Sequence, residues 1–237
     1  MRCVICLLLF AEVLSAQTFP VVLKKRLWPD GGGQIEIAEQ AIVYHAVKES
    51  ESRTWNYPDI QFFDRISSRE FTILTYEDQR RWLGRDKRYH FVVTEGELTD
   101  ALFQTVRSRL NKPAANRVIP GLEAVEYEVA VKHLHTFGGC EGTLRFTEDA
   151  IAYVTAGDVA ADKVDNKDAR LWSLARDVRS VWSADRYRLQ IHVYEDNRRE
   201  FSRTRVYRFS LKEPLDGAYY RRLKLRLYDL ESAHLPL

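Results

Sequence analysis

Two groups of side chains in this sequence have the chemistry to hold a ligand. The first is His133-Leu134-His135, followed after four residues by Cys140 and Glu141. Histidines at alternate positions of a strand project from one face, and imidazole with thiolate is a donor set suited to zinc. His133, His135 and Cys140 are therefore candidate metal ligands, for a metal-dependent enzyme or a metal-binding protein. A strand of mixed polarity beside a buried thiol accounts for the same residues without a metal. The second group is cationic. After Tyr76-Glu77-Asp78 come Arg80, Arg81, Arg85 and Lys87 with Trp82 among them; after Tyr194-Glu195-Asp196 come Arg198, Arg199, Arg203 and Arg205 with Phe201. Guanidinium groups fork onto phosphate or carboxylate, and an exposed aromatic adds contact area, so both segments are candidate edges for an anion or a protein partner. Solvated loop charge paired with the neighbouring carboxylates is the alternative.

Other chemistry finds no framework. No serine sits in a Gly-x-Ser-x-Gly elbow and no His-Glu-x-x-His occurs. Gly31-Gly32-Gly33 lacks the lysine of a phosphate loop and reads as a tight turn. His90 and His192 fall on polar strand faces. Glu77-Asp78 and Glu195-Asp196 end strands, where acidic residues commonly open a turn. The expectation is a protein without catalytic residues and without a cofactor.

Composition narrows the partners. The 237 residues carry 36 Lys and Arg against 34 Asp and Glu, a formal charge of +2. That balance gives no global reason to expect nucleic acid, which calls for a basic face. The N-terminus reads Met1-Arg2, then an apolar run from Cys3 to Leu14 broken only by Glu12, then Ser15-Ala16. A short cation-led apolar run ending at a small residue reads as an export signal, too short to span a membrane, with an uncleaved anchor as the alternative. Removal of residues 1–16 leaves Cys140 as the single cysteine, with no internal disulfide and no transmembrane helix in the mature chain. A periplasmic or extracellular location follows, with a protein or anionic envelope component as the partner.

The elements that must position these residues are written twice. Gly33 to Tyr44 matches Gly142 to Tyr153, with Ile42 and Ile151 109 residues apart. Arg53-Thr54-Trp55 answers Arg170-Leu171-Trp172 at 117, and Phe71 to Asp78 answers Leu189 to Asp196 at 118. Tyr89-His90-Phe91 then meets Tyr207-Arg208-Phe209, and Leu98 to Leu110 meets Leu215 to Leu227. Matches in one order, drifting only across loops, mark an internal duplication. The drift places a longer, polar loop in the second copy, from Thr155 to Ala169. The boundaries are residues 1–16 for the signal, 17–111 for the first domain, 112–123 for a semi-rigid linker holding Pro113 and Pro120, 124–230 for the second domain, and 231–237 for a tail.

Within each copy the pattern is mainly β. Phe71, Ile73 and Thr75 alternate with Thr72 and Leu74, as Leu189, Ile191 and Val193 do with Arg188, Gln190 and His192, the period of a half-buried antiparallel strand. The first strand is expected over Val21 to Trp28, and about seven strands per copy follow. Each copy then ends in a helix: Leu98, Leu102, Val106 and Leu110 recur every four residues, as do Leu215, Tyr219, Leu223 and Leu227. Thr99 and Asp216 are the expected N-caps, with Leu98–Phe103 and Leu215–Tyr220 as hydrophobic staples.

Seven strands closed by one amphipathic helix, with a tryptophan-led strand followed by Asp59-Ile60 and Asp177-Val178, resemble the pleckstrin-homology-like (PH-like) superfold. The resemblance covers both copies and is to bacterial, extracytoplasmic proteins with such domains. It implies two tandem bent barrels, each plugged at one end by its last helix. In members that bind phosphoinositides the ligand lies near the first hairpin, where Lys24-Lys25-Arg26 lie in the first copy, but an exported protein rarely meets such a lipid and binding by that route is not expected. The expected function is non-catalytic binding or scaffolding in the cell envelope through the cationic hairpins.

Overall fold

The computed structural model describes residues 16–25, 28–79, 85–136, 138–155, 168–195 and 204–234. Residues 1–15 of the expected signal, Arg26, the body of the inserted loop and the end of the tail lie outside them. In the first copy β1 (Gln17–Lys24), β2 (Gly31–Ile37), β3 (Ala41–Ala46), β4 (Arg53–Asn56), β5 (Ile60–Ser67), β6 (Glu70–Asp78) and β7 (Asp86–Val93) precede α1 (Asp100–Leu110). A short β8 (Ala114–Asn116) follows. The second copy repeats the series as β9 (Tyr127–Leu134), β10 (Gly139–Phe146), β11 (Ala150–Thr155), β12 (Arg170–Ser173), β13 (Val178–Asp185), β14 (Arg188–Tyr194), β15 (Thr204–Leu211) and α2 (Gly217–His234). The chain is mainly β, with seven strands and a helix per copy among the described residues. Among the described residues no helix is long and apolar enough to cross a membrane.

Both copies pair their strands in the same permuted order, β5-β6-β7-β1-β2-β3-β4 and β13-β14-β15-β9-β10-β11-β12. In β14 the expected alternation holds, Leu189, Ile191 and Val193 being buried between more open neighbours, whereas in β6 Phe71 to Thr75 are buried on both faces because Leu74 packs with Phe62 and Ala115. Each copy has its own core. The first gathers Ile35, Phe63, Phe71, Phe91 and Phe103, and the second Leu144, Phe146, Trp172, Ile191 and Phe209. Both expected caps form: Thr99 accepts the Leu102 N–H at 3.2 Å, and Asp216 accepts those of Ala218 and Tyr219 at 2.7 and 3.0 Å. Leu98 and Phe103 share the first core, and Tyr220 packs against the second beside Leu215. Asn111, left-handed at φ 47°, ends α1 and returns its N–H to the Arg107 carbonyl.

Four expectations change. The two copies are not separate barrels but parts of one 15-stranded sheet. The segment read as a linker supplies the joint: β8 pairs parallel with β5 through Phe63–Ala114 to Arg65–Asn116, and antiparallel with β12 through Leu171–Asn116. Ala114, Ala115 and Asn116 are buried, small enough to fill the seam where Ala115 meets Phe62 and Leu74. Arg117 then forks onto Asp64 at 3.0 and 2.5 Å, and Arg107 of α1 reaches across to Asp177 at 2.6 Å. The first strand also runs earlier than expected, from Gln17, and turns after Lys24, where Asp30 accepts the Lys25 N–H. Gly31 to Gly33 form no turn; they open β2. A Cβ on Gly33 would lie 2.4 Å from the His45 carbonyl oxygen, and one on Gly142 would lie 2.3 Å from that of Val154. Both copies need glycine there because a backbone passes too close for a side chain.

Candidate functional site

The strand register superimposes the copies residue by residue at one end of each sheet. Leu23 faces Gly31 across β1 and β2, as His133 faces Cys140 across β9 and β10. Tyr44 and Tyr153 each donate a hydroxyl to the carbonyl of that second residue, Gly31 or Cys140, at 3.1 Å. Trp55 and Trp172 hold equivalent places opposite Ile42 and Ile151. Four residues before each tryptophan stand Glu51 and Asp168. Leu23, Lys25, Gly31 and Glu51 of the first copy thus correspond to His133, His135, Cys140 and Asp168 of the second.

In the first copy this end is a cation-lined cleft of about 1220 Å³. Lys24, Lys25, Lys48, Arg53, Lys87 and Arg88 line it together with two carboxylates, Asp30 and Glu51. The Lys25 ammonium donates to Glu51 at 2.5 Å and holds that carboxyl below its ordinary pKa, and Lys24 does the same for Asp30 at 2.7 Å. Lys48 also approaches Glu51, at 3.8 Å, and Lys87 is paired with Glu77. Trp28, two-thirds exposed, and Val47 add apolar surface at the rim. Of the basic set Lys24-Lys25-Arg26, Lys24 and Lys25 stand here, and Arg26 lies outside the described residues.

In the second copy the same end is a cluster of donors. The Cys140 sulfur lies 3.3 Å from His135 Nε2, 3.9 Å from His133 Nδ1 and 3.4 Å from Asp168 Oδ2, and His135 Nε2 lies 3.4 Å from the same Asp168 oxygen. One ligand atom from each of the four residues falls within 4.8 Å of every other. His133 is buried, its ring 5.1–5.6 Å from those of Tyr153, Tyr207 and Phe209, whereas His135 is exposed. Burial, with the neighbouring His135, pushes the His133 pKa down to about 4, so the ring is neutral at pH 7. Burial pushes the Cys140 thiol up. The structure therefore brings together the three residues the sequence singled out and adds Asp168. Glu141 takes no part; it pairs with Lys212 at 2.8 Å. Asp168 carries no signal in the sequence beyond its place near the end of the segment that the second copy has and the first lacks.

The cationic hairpins divide differently. Arg80, Arg81, Trp82, Arg198, Arg199, Phe201 and Arg203 lie outside the described residues. Of the remainder, Lys87 donates to Glu77 at 2.7 Å and Arg205 stands 3.8 Å from Glu195. These two glutamates do not open turns; each is a hub between strands. Glu77 accepts from Trp55 Nε1 of β4 at 3.0 Å and from the Tyr89 hydroxyl of β7 at 2.9 Å, and Glu195 accepts from Trp172 and Tyr207 at 3.0 and 2.7 Å. Burial raises the Glu77 carboxyl, but the bonds from Lys87, Trp55 and Tyr89 outweigh it and the net shift is downward. In the second copy the buried Arg170 joins the hub at 3.3 Å, and Glu195 itself is buried. Because Lys87 also lines the first cleft, the base of the first hairpin opens onto it.

No protein-family model matches the chain, and no curated protein matches it in sequence. Among solved structures it is similar to the Vps36 N-terminal PH domain, at 16% identity over 48% of this chain and 86% of that one, with a TM-score of 0.33. It is also similar to a chain in the structure of the Spt16D Pob3N heterodimer, at 12% identity over 76% of this chain and 83% of that one, with a TM-score of 0.32.

Proposed function

We propose that this chain is a non-catalytic binding protein that acts outside the cytoplasm, built from two PH-like units fused through one sheet. Its first unit takes an anionic ligand, or an acidic segment of an envelope protein, in the cleft beside β1. The observation that carries this reading is the excess of cations over carboxylates in that cleft, six to two, next to an exposed tryptophan. A concave site lined by one sign of charge concentrates oppositely charged partners, and Trp28 offers a flat surface to stack on them. The short apolar run at the N-terminus supports export.

Titration with inorganic tripolyphosphate and with an acidic peptide, followed by the emission of Trp28, tests the reading. Binding should weaken with salt and be lost in Lys24→Glu/Lys48→Glu, two exposed positions outside both hubs. A wild-type protein that binds neither probe, or a variant that binds as well as wild type, overturns it.

A further inference from the structure

We propose that His133, His135, Cys140 and Asp168 bind one Zn²⁺ ion, which ties the β9–β10 hairpin to the entry of β12. The site is in the second copy and is independent of the ligand cleft in the first.

Distances support it first. In a tetrahedral shell with Zn–S about 2.3 Å and Zn–N or Zn–O about 2.0–2.1 Å, the edges between donors come to about 3.4–3.6 Å. Of the six edges, three are 3.3, 3.4 and 3.4 Å and a fourth is 3.9 Å, while the two from His133 to His135 and to Asp168 are within 4.8 Å. Two imidazoles, a thiolate and a carboxylate are all ordinary zinc ligands, and together they close a four-coordinate shell. With no position left for water or substrate, the ion would act as a structural clamp.

The first copy supplies the second support, as an internal comparison on the same backbone. There the hairpin is tied to the entry of β4 by the ion pair Lys25–Glu51, with Leu23 and Gly31 beside it. In the second copy Leu, Lys and Gly have become His, His and Cys, and the shorter Asp replaces Glu. All four positions now carry metal donors, at the place where the first copy already joins the same two segments by charge. The surroundings hold the donors in place: Tyr153 bonds the Cys140 carbonyl and lies 3.2 Å from its sulfur, while aromatic rings fix His133.

A Cys-His-Asp nucleophile is the competing use of these residues, and the geometry disfavours it. In such a triad the carboxylate orients one ring nitrogen while the other takes the proton from the nucleophile. Here Cys140 and Asp168 both approach Nε2 of His135, which suits convergence on an ion and not a proton relay.

Full-length protein purified without chelator should carry about one zinc per chain by elemental analysis. The metal-free protein titrated with Co²⁺ should develop a thiolate-to-cobalt charge-transfer band and the intense visible bands of tetrahedral cobalt. Cys140→Ser should lose the charge-transfer band. Asp168→Asn should weaken binding at least tenfold, since loss of even an outer-shell partner costs about 10–100-fold. The variant H133L/H135K/C140G/D168E installs the first copy's own residues, so it should fold by circular dichroism and bind no cobalt. The reverse exchange, L23H/K25H/G31C/E51D, should raise the stoichiometry to two. A wild-type protein that binds no cobalt, a charge-transfer band that survives in C140S, or unchanged affinity in D168N overturns the proposal.

Discussion

Replacing Arg107 by Met should destabilise the protein strongly at pH 8 and only weakly near pH 4. Arg107, on the last turns of α1 in the first copy, donates to Asp177 of the second at 2.6 Å, and the two side chains are only 8% and 5% exposed. Asp177 also accepts the Ser173 N–H at 2.8 Å. Burial pushes the Asp177 pKa up to about 6 even though Arg107 and the Ser173 N–H oppose it. A folded pKa above the ordinary 3.8 means that the contribution of this carboxyl to stability is full below about pH 3.8 and is lost as pH rises through about 6. At 1.36 kcal/mol per pH unit the gap corresponds to about 3 kcal/mol. Without Arg107 the carboxylate has one N–H left, and breaking such a buried pair costs about 3–5 kcal/mol where the charge must persist. At acid pH the carboxyl takes up a proton instead, so the deficit shrinks. Urea unfolding at pH 4.5 and pH 8, followed by the emission of Trp55 and Trp172 in the two cores, measures it. Arg107→Met/Asp177→Asn leaves no bare charge and should recover most of the loss at pH 8. An R107M deficit under about 1 kcal/mol at pH 8, or one that is the same at both pH values, would refute the reasoning.

Two further outcomes follow from the paired sites. Glu195→Gln should cost more than Glu77→Gln, because it removes a buried charge that faces the buried Arg170, whereas the cation of Glu77, Lys87, is one-third exposed; equal losses on urea unfolding would contradict the hub assignment. In the metal-free protein His133, with its folded pKa near 4 and its ordinary value at 6.5, contributes stability that is present above pH 6.5 and lost as pH falls through 4, up to about 3 kcal/mol. His133→Leu, the residue of the first copy, should flatten that acid limb in chelator-containing buffer, and an unchanged slope would count against the buried neutral imidazole.

Local periodicity and local capping were legible in the residues alone. The alternation of Leu189 to Val193 set a strand because one pleated face must be apolar, and Phe71 to Thr75 form its counterpart although both of its faces are buried. Thr99 and Asp216 set helix starts because their oxygens reach backbone N–H groups only two or three residues away. The duplication exposed the order of elements, and it placed His133, His135 and Cys140 in only one of the two copies. None of that needed long-range contact.

What the tertiary structure decided depends on residues far apart in sequence. Pro113 to Asn116 have the composition of a linker, and only the free edges of β5 and β12 on either side turn Ala114 to Asn116 into the strand that makes two units one sheet. Glu77 and Glu195 resemble turn openers until a tryptophan some twenty residues earlier donates to them. Asp168 lies 28 residues beyond Cys140, past a loop with no counterpart in the first copy, and nothing in its neighbours predicts its partners. Strand pairing brings it to the end of the first hairpin, where the first copy keeps a lysine–glutamate pair. The sequence by itself determined which residue types could bind a metal; which four of them share one point in space was decided by the register of β9, β10 and β12.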